Sequence, residues 1–196
     1  HVAATAFPSS ASELAAFDVV MLSDIGANTL LLHPETFERS TPKPDRLAAI
    51  RDYVGDGGGL VMVGGYLTFQ GIDGKARYAG TAVEEALPVV LHGADDRVET
   101  PAGVQPQIIA ADHPIVADLP TEVPALLGYN RVMTKPSADL VVGVGGDPLI
   151  AAGTFGRGRS VAFTSDCGPH WCPPPFVAWE GYPTMWHNLV RWAAVG

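Results

Sequence analysis

Two short apolar runs separated by an amphipathic segment constrain the fold of this chain most strongly. The first run is FDVVMLSD (residues 17–24) and the second is GLVMVGG (59–65). Runs of this length are typical of strands that are covered on both faces. Between them lies PDRLAAIRDYVGDGGG (44–59), whose apolar residues recur at helical spacing before the glycines stop the helix. This order predicts a right-handed unit with two parallel strands, so we expect an α/β protein.

Later segments extend the same class of fold. Residues 148–166 contain two extended runs around the turn FGRGR, which predicts an antiparallel hairpin. Residues 181–196 have apolar positions at helical spacing and predict a closing helix. The middle of the chain has a weaker pattern, with a short helix expected at TAVEEAL and extended pieces at VQPQIIA and ADLVVGV. We expect one domain over residues 1–196, with a mostly parallel sheet flanked by helices and the hairpin near one edge.

Composition and charge argue against several classes of partner. The 196 residues include 21 acidic and 12 basic ones, with a net charge of −9 and no cluster of Lys or Arg, so we expect no nucleic-acid partner. No apolar run approaches the roughly 20 residues that cross a bilayer, so we expect no membrane partner. Two cysteines favour a reducing cytoplasm. The first residue, His1, is interpreted as a processed end, a tag remnant or an internal position of a longer protein.

Ligands of open α/β sheets bind outside the carboxyl ends of the strands. Three segments are expected at that edge, namely residues 24–29, 64–71 and 165–176. We expect them to bind a small polar molecule, without a cofactor, in a protein that forms a homo-oligomer. The candidate ligand-binding side chains of the first two segments are Asp24, Asn28 and Gln70.

Several motifs in this order resemble the glutamine amidotransferase-like family of mostly uncharacterised bacterial proteins. They include SDIGANTLLL, GGGLVMVGGYLTFQG, DDRVETPAGV, LLGYN and GRGRSVAFTSDCGPHW, and they span almost the whole chain. The last motif is also similar to trehalose-utilisation-like proteins. The resemblance implies a flavodoxin-like fold of the class I amidotransferase type. Members of the family carry an additional first strand, which we expect to be missing from this chain.

The family likeness also identifies a turn that holds the nucleophile in true amidotransferases. Their motif is G-x-C-x-G-x-Q, and GGYLTFQ overlays it with Tyr66 in the Cys position and Thr68 in the second Gly position. A late strand supplies the catalytic His and Glu in such enzymes, whereas AFTSD here has Thr164 in the His position and Asp166 near the Glu position. The resemblance therefore implies that both the nucleophile and the base of glutamine hydrolysis are missing.

Tyr66 keeps two interpretations at this stage. A phenol is a weaker nucleophile than a thiolate near neutral pH, so Tyr66 cannot take over the glutaminase step unchanged. The residue either packs in its loop with a hydrogen-bonded hydroxyl, or it faces a pocket and contributes to ligand binding or acid–base chemistry. The same two interpretations apply to Asp24 and Gln70.

The segment SDCGPHWCPPPF (residues 165–176) has the highest density of reactive side chains in the sequence. Its spacing of Cys and His, even with His187 added, fits no common zinc pattern, so we expect no metal. We predict that His170, with Asp166, points into the pocket beside Tyr66, because histidine can transfer a proton near neutral pH. One alternative uses Cys167 as the nucleophile with His170 as its base. Another has His170 capping the loop through backbone carbonyls.

Aromatic residues follow this segment and permit two interpretations. Beside polar groups they suit a sugar-like ring, but they also commonly fill the space between a loop and a helix. Asn130 of LLGYN is a candidate pocket residue through the family resemblance alone, and DDRVE (residues 95–99) is expected to be a solvated turn with local ion pairs. The aromatic residues concerned are Trp171, Phe176, Trp179 and Tyr182, of which Trp171 and Trp179 are candidate ligand-binding residues.

Three functions follow from these observations. The first is an amidotransferase-like domain that has lost glutaminase chemistry and binds or acts on another small polar molecule, for example a sugar-like one, with hydrolase-type chemistry if it is an enzyme. The second is a non-catalytic interaction module. The third is a thiol- or metal-dependent hydrolase that uses Cys167 and His170.

Overall fold

A computed structural model describes residues 2–194 and contains one sheet of six strands and two sheets of two strands. The order in the large sheet is β1-β2-β10-β9-β8-β5, while β3 pairs with β7 and β4 pairs with β6. The strands are β1 (Val19–Ser23), β2 (Gly59–Val63), β3 (Val89–Leu91), β4 (Arg97–Val104), β5 (Pro106–Ile108), β6 (Leu126–Asn130), β7 (Val132–Thr134), β8 (Asp139–Val144), β9 (Asp147–Phe155) and β10 (Gly158–Phe163).

The predicted parallel unit forms the first part of the large sheet. β2 pairs in parallel with β1 on one side and with β10 on the other. All five residues of β2 are buried, as expected for a strand with helices on both faces. Ser23, Val63 and Phe163 lie side by side at the ends of the three strands, so the segments that follow them leave the sheet at one edge.

The predicted hairpin is confirmed as β9 and β10, which pair in antiparallel fashion. The sheet extends two strands beyond it, because ADLVVGV and VQPQIIA contribute β8 and β5. Four of the six strands, β1, β2, β10 and β8, point in the same direction. The structure therefore confirms the predicted flavodoxin-like α/β class, with a larger antiparallel part than the weak middle pattern indicated.

Helices cover both faces of the large sheet. They are α1 (Ala3–Ala6), α2 (Ala11–Leu14), α3 (Ala27–Leu31), α4 (Pro34–Arg39), α5 (Arg46–Gly55), α6 (Ala82–Ala86), α7 (Pro174–Val177) and α8 (Gly181–Ala194), with 3-10 turns at Ile72–Gly74 and Pro114–Val116. The predicted helices α5, α6 and α8 are confirmed, and residues 195–196 of the predicted closing helix lie outside the described residues. Within residues 2–194, no helix combines the length and the apolar character needed to span a membrane.

Alternate residues of β2 divide the interior into two hydrophobic cores. Leu60 and Met62 pack in the core that includes α5, whereas Val61 and Val63 pack in the core that includes α8. This division follows from the alternation of side chains along a strand. The central strands are thus packed on both faces.

Arg46 of α5 forms hydrogen bonds with α1 and α3. It is a charged residue, but only 2% of its surface is exposed. Its Nε donates to the carbonyl of Leu30 at 2.6 Å, and its Nη2 donates to the carbonyl of Thr29 at 3.1 Å. Its Nη1 donates to the carbonyls of Ala4 and Ala3 at 3.0 and 3.3 Å. One guanidinium therefore supplies partners for backbone carbonyls from two helices.

We predict that Arg46→Ala lowers the free energy of unfolding by about 2–4 kcal/mol, because it leaves several carbonyls without donors and opens a cavity. Chemical denaturation of the folded domain measures this change. The matched control Arg39→Ala removes an exposed arginine and should cost less than about 0.5 kcal/mol. Equal stability of the two variants would contradict the role given to Arg46.

Candidate functional site

The turn at residues 64–71 brings the end of β2 close to the end of β10. A Cβ atom on Gly64 would lie 2.1 Å from the carbonyl oxygen of Thr164, so no larger residue fits there. Gly71 has a φ of 66°, and a Cβ atom on it would lie 2.1 Å from the carbonyl oxygen of Tyr66. These two glycines allow the chain to turn tightly enough to place Tyr66 at the carboxyl edge of the sheet.

A buried carboxylate and a buried amide fix this turn. Asn130 Oδ1 accepts from the N–H of Gly65 at 2.9 Å, and its Nδ2 donates to Asp96 Oδ1 at 2.8 Å. Asp96 also accepts from the N–H groups of Gln70 and Gly71, each at 2.9 Å. Exposure is 0% for Asn130 and 2% for Asp96, so both side chains serve the turn rather than a ligand. Burial raises the pKa of the Asp96 carboxyl, against the lowering effect of its hydrogen bonds.

Tyr66 lies at the centre of a group that we call the tyrosine cluster, defined as Tyr66, Arg97, Glu99, His170 and Trp171. The Tyr66 hydroxyl donates to Glu99 Oε1 at 3.1 Å, and Trp171 Nε1 donates to Glu99 Oε2 at 3.0 Å. The Arg97 guanidinium carbon lies 4.8 Å from the centre of the tyrosine ring. The His170 ring meets the Tyr66 ring edge-on, with centroids 4.5 Å apart. Tyr66 is half-buried and His170 is exposed, so solvent reaches both.

Asp166 stands near His170 but does not bond to it. The separation of Asp166 Oδ2 and His170 Nδ1 is 3.8 Å, which is longer than a hydrogen bond. Asp166 Oδ1 instead accepts from the N–H of Cys167 at 2.7 Å. His170 has a φ of 148°, an uncommon conformation for a residue with a side chain. The loop therefore holds the imidazole toward Tyr66 through its backbone and through stacking on Trp171 at 5.3 Å.

Asp24 accepts a hydrogen bond from the backbone N–H of the residue that follows Tyr66. Its Oδ1 accepts from the N–H of Leu67 at 2.9 Å, and its own φ is 50°. In enzymes with a nucleophile at such a turn, the N–H of the next residue stabilises the oxyanion of acyl transfer. Here an internal carboxylate is already bonded to that N–H, which opposes the binding of a second negative oxygen there.

The two cysteines lie in different environments. Cys172 is fully buried, and burial raises the pKa of its thiol to about 12, so this thiol is unsuited to nucleophilic attack. Cys167 is partly exposed, with its Sγ 3.8 Å from the Ser23 hydroxyl. His170 makes its ring contacts with Tyr66 and Trp171. Across residues 2–194, no group of three or more His, Cys, Asp or Glu side chains is arranged to hold a metal ion.

Two of the predicted ligand-binding residues line an open cleft of about 890 Å³ beside the turn. We call it the Arg77 cleft, and its walls include Asn28, Gln70, Asp73, Arg77, Thr81 and Asp95. A second cleft of about 800 Å³ lies by β5, and none of the predicted residues lines it. The Arg77 cleft is therefore the better candidate, because it shares Gln70 with the turn that carries Tyr66.

The aromatic residues separate into two groups. Trp171 is 1% exposed and belongs to the tyrosine cluster. Trp179 packs on Phe176 with centroids 6.0 Å apart, and Tyr182 packs on the same ring at 6.1 Å. These latter three fill the space between the loop and α8, as the second interpretation of the sequence allowed.

Sequence reasoning missed the contribution of DDRVE to the site. The Asp95–Arg97 ion pair is present at 2.8 Å, as expected for local pairing. The prediction of a solvated turn is wrong for Asp96, which is buried, and incomplete for Glu99, which bonds to Tyr66 and Trp171. The alternation of Arg97, Val98 and Glu99 at the start of β4 could have indicated that the two charged residues share one face.

The fold, with its tight turn at the carboxyl edge of the sheet, is that expected of a domain of the class I amidotransferase type. The GATase1_like family model, described as putative glutamine amidotransferase, matches residues 1–195. The chain belongs to this family.

The chain is also similar to several solved structures. The cytoplasmic proteins STM3548 from Salmonella typhimurium and STM1381 from Salmonella typhimurium LT2 are 42% and 44% identical, each with a TM-score of 0.95. The alignments cover 99% and 98% of this chain and 78% of each relative. A ThuA-like protein from Parabacteroides merdae has 13% identity, a TM-score of 0.62 and coverage of 97% and 75%, which shows a shared fold alone. No match was found among curated proteins.

We predict that Asp96→Asn lowers the free energy of unfolding by about 1–3 kcal/mol, because the new amide N–H₂ must face N–H donors. The pH dependence should change as well. Since the folded pKa of Asp96 is raised above the ordinary value of 3.8, its contribution to stability is full below that value and is lost as pH rises through the folded pKa. Asp96→Asn should not show this loss of stability as the pH rises.

Denaturation of both proteins at a series of pH values measures this difference. The control Asp112→Asn alters an exposed aspartate and should change stability by less than about 0.5 kcal/mol. If Asp96→Asn were as stable as the wild type and kept the same pH dependence, the assigned role of Asp96 would be wrong.

A second prediction concerns the cysteines. Iodoacetamide should modify Cys167 in the folded protein and leave Cys172 unmodified, because the latter is buried and its pKa is raised to about 12. Mass spectrometry of proteolytic fragments locates the modified residue, and unfolded protein serves as the control in which both react. Faster modification of Cys172 than of Cys167 would contradict the described packing.

Proposed function

We propose that this domain binds a small polar molecule at the carboxyl edge of its sheet and does not hydrolyse glutamine. The observation that carries the proposal is the tyrosine cluster. Tyr66 occupies the nucleophile position with its hydroxyl bonded to Glu99 and with His170 against its ring. These groups offer a phenol, an imidazole and a carboxylate to a ligand in solvent-accessible space.

Three features oppose glutaminase chemistry. The nucleophile position holds a phenol rather than a thiol. Thr164, in the position of the catalytic His, is buried and donates its hydroxyl to the carbonyl of Pro148 at 2.8 Å. The N–H of Leu67 is bonded to Asp24, so the donor for an acyl oxyanion is already occupied.

The cluster suits binding and proton transfer on a hydroxylated ligand. His170 is the proposed acid–base group, and Asp166 at 3.8 Å is close enough to form an ion pair with it once it is protonated. The Tyr66 hydroxyl oxygen and the Glu99 carboxylate can accept from ligand hydroxyls, and their aromatic neighbours suit a sugar-like ring. If the domain is an enzyme, we propose hydrolase-type chemistry. Cys167 remains a proposed alternative nucleophile.

Location and assembly rest on separate observations. Two similar proteins are described as cytoplasmic, and we propose the same location for this chain. We also propose a homo-oligomer, supported by Phe17 and Phe37, which are 58% and 78% exposed. Light scattering during gel filtration measures the assembly, and a monomer at all concentrations would overturn that part of the proposal.

Thermal-shift screening with monosaccharides, polyols and sugar acids tests the proposed function, since a ligand that binds only the folded state raises its apparent stability. We predict that Tyr66→Phe weakens the best ligand about threefold to tenfold, the effect of one hydrogen bond. The control Tyr129→Phe removes a hydroxyl that bonds to Asp147 at 2.9 Å, away from the cluster, and should bind like the wild type.

A glutaminase assay completes the test, with ammonia release as the measured quantity. We expect none above background from the wild type or from Tyr66→Cys, because the variant keeps Thr164 in the position of the catalytic His and keeps Asp24 bonded to the N–H of Leu67. Release of ammonia from glutamine at an enzymatic rate by the wild type would overturn the proposal. Unchanged ligand binding by Tyr66→Phe would show that the cluster is not the binding site.

A further inference from the structure

The Arg77 cleft contains one cation that has no partner among the described residues. Across residues 2–194, the Arg77 guanidinium makes no salt bridge and no hydrogen bond. Both carboxylates of the cleft are already paired. Asp73 bonds to Lys75 at 2.8 Å, and Asp95 bonds to Arg97 at 2.8 Å. Because these pairs neutralise the two acids, Arg77 contributes an uncompensated positive charge in a protein whose net charge is −9.

Gln70 adds a donor whose orientation is fixed. Only 6% of Gln70 is exposed, and its Oε1 accepts from the N–H of Ala79 at 2.9 Å. Because Oε1 faces the N–H of Ala79, we assign Nε2, the other end of the amide, to the side of Gln70 that lines the cleft. Nε2 has no hydrogen-bond partner among the described residues, and it is not fully buried. A mostly buried amide therefore presents an accessible N–H₂ group to the cleft.

Asn28 and Thr81 complete the polar wall. Asn28 is exposed at the cleft, and its amide can both donate and accept. Thr81 donates its hydroxyl to the carbonyl of Tyr78 at 2.7 Å, which leaves its oxygen as an acceptor. The cleft thus combines strong donors at Arg77 and Gln70 with weaker groups that suit hydroxyls.

We infer that the Arg77 cleft binds the anionic group, a carboxylate or a phosphate, of a small hydroxylated molecule through Arg77 and Gln70. This inference rests on the proposed function and specifies its ligand class. Arginine binds both kinds of oxyanion through paired N–H groups. The cleft is joined to the tyrosine cluster in two ways. Gln70 lies on the same turn as Tyr66, and Asp95 of the cleft bonds to Arg97 of the cluster.

Calorimetric titration with glucuronate, glucose 6-phosphate and glucose tests the inference. We expect at least one of the two anions to bind about tenfold or more tightly than glucose, and the anion that does so identifies the anionic group. Arg77→Gln should weaken that anion about tenfold or more while changing glucose binding less than about twofold. Higher salt should reduce the difference in the wild type.

Two further variants make the test specific. Gln70→Glu keeps an oxygen for the N–H of Ala79 but turns a negative oxygen toward the cleft, so it should also weaken the anion. The control Arg157→Gln removes an exposed arginine outside this cleft and should bind like the wild type. Circular dichroism and denaturation confirm that each variant is folded.

Each outcome separates this inference from the proposed function. Equal binding of the anions and of glucose, or no effect of Arg77→Gln, overturns the anion site and leaves the proposed function standing. Loss of the anion preference in Arg77→Gln, together with equal weakening of all compounds in Tyr66→Phe, supports both. If none of the three compounds binds the wild type at millimolar concentration, the anion site is overturned, and the thermal-shift screen alone then decides the proposed function.

Discussion

The pair formed by Asp96 and Asn130 is the interaction on which the site depends. These two buried side chains bond to both ends of the turn at residues 64–71 and to each other. Without such partners, the N–H groups of this tight turn would be buried and unsatisfied, at a cost of about 1–3 kcal/mol each. The position of Tyr66 is therefore set by residues that are remote from it in sequence and that no ligand needs to touch. The ends of β2, β4 and β6 meet at this point.

The arrangement explains how a fold associated with glutamine hydrolysis can support other chemistry. The turn, its glycines and its place at the sheet edge are independent of which side chain occupies the middle position. In the proposed function, Tyr66 supplies a phenol at the position where glutamine-hydrolysing enzymes carry a thiol, so the nucleophile is missing. Asp24 then bonds to the backbone donor that acyl transfer would use. In the proposed function, Tyr66, Glu99 and His170 supply the chemistry of the site, and the adjacent Arg77 cleft supplies its polar binding surface.

Local patterns predicted the parts of the fold that are determined locally. The buried run of β2, the amphipathic α5 and the β9–β10 hairpin all follow from residue periodicity and turn chemistry. The site was only partly predictable. Tyr66 and His170 could be placed at one edge because both follow predicted strands. The hydrogen bonds that Glu99 and Asp96 accept depend on how β4 packs beside the turn. A charged segment such as DDRVE carries no sequence signal that distinguishes a buried carboxylate from a solvated one.

The hydrogen bond from the Trp171 indole to Glu99 has a spectroscopic consequence. Indole emission responds to nearby charge and hydrogen bonding, and this indole is bonded to the carboxylate that also holds the Tyr66 hydroxyl. The remaining tryptophans pack on other rings, Trp179 on Phe176, Trp186 on Phe163 and Trp192 on His113. Any event that pulls Glu99 away from Tyr66 also changes the surroundings of one indole. The emission of Trp171 is therefore expected to change when a ligand binds at the tyrosine cluster.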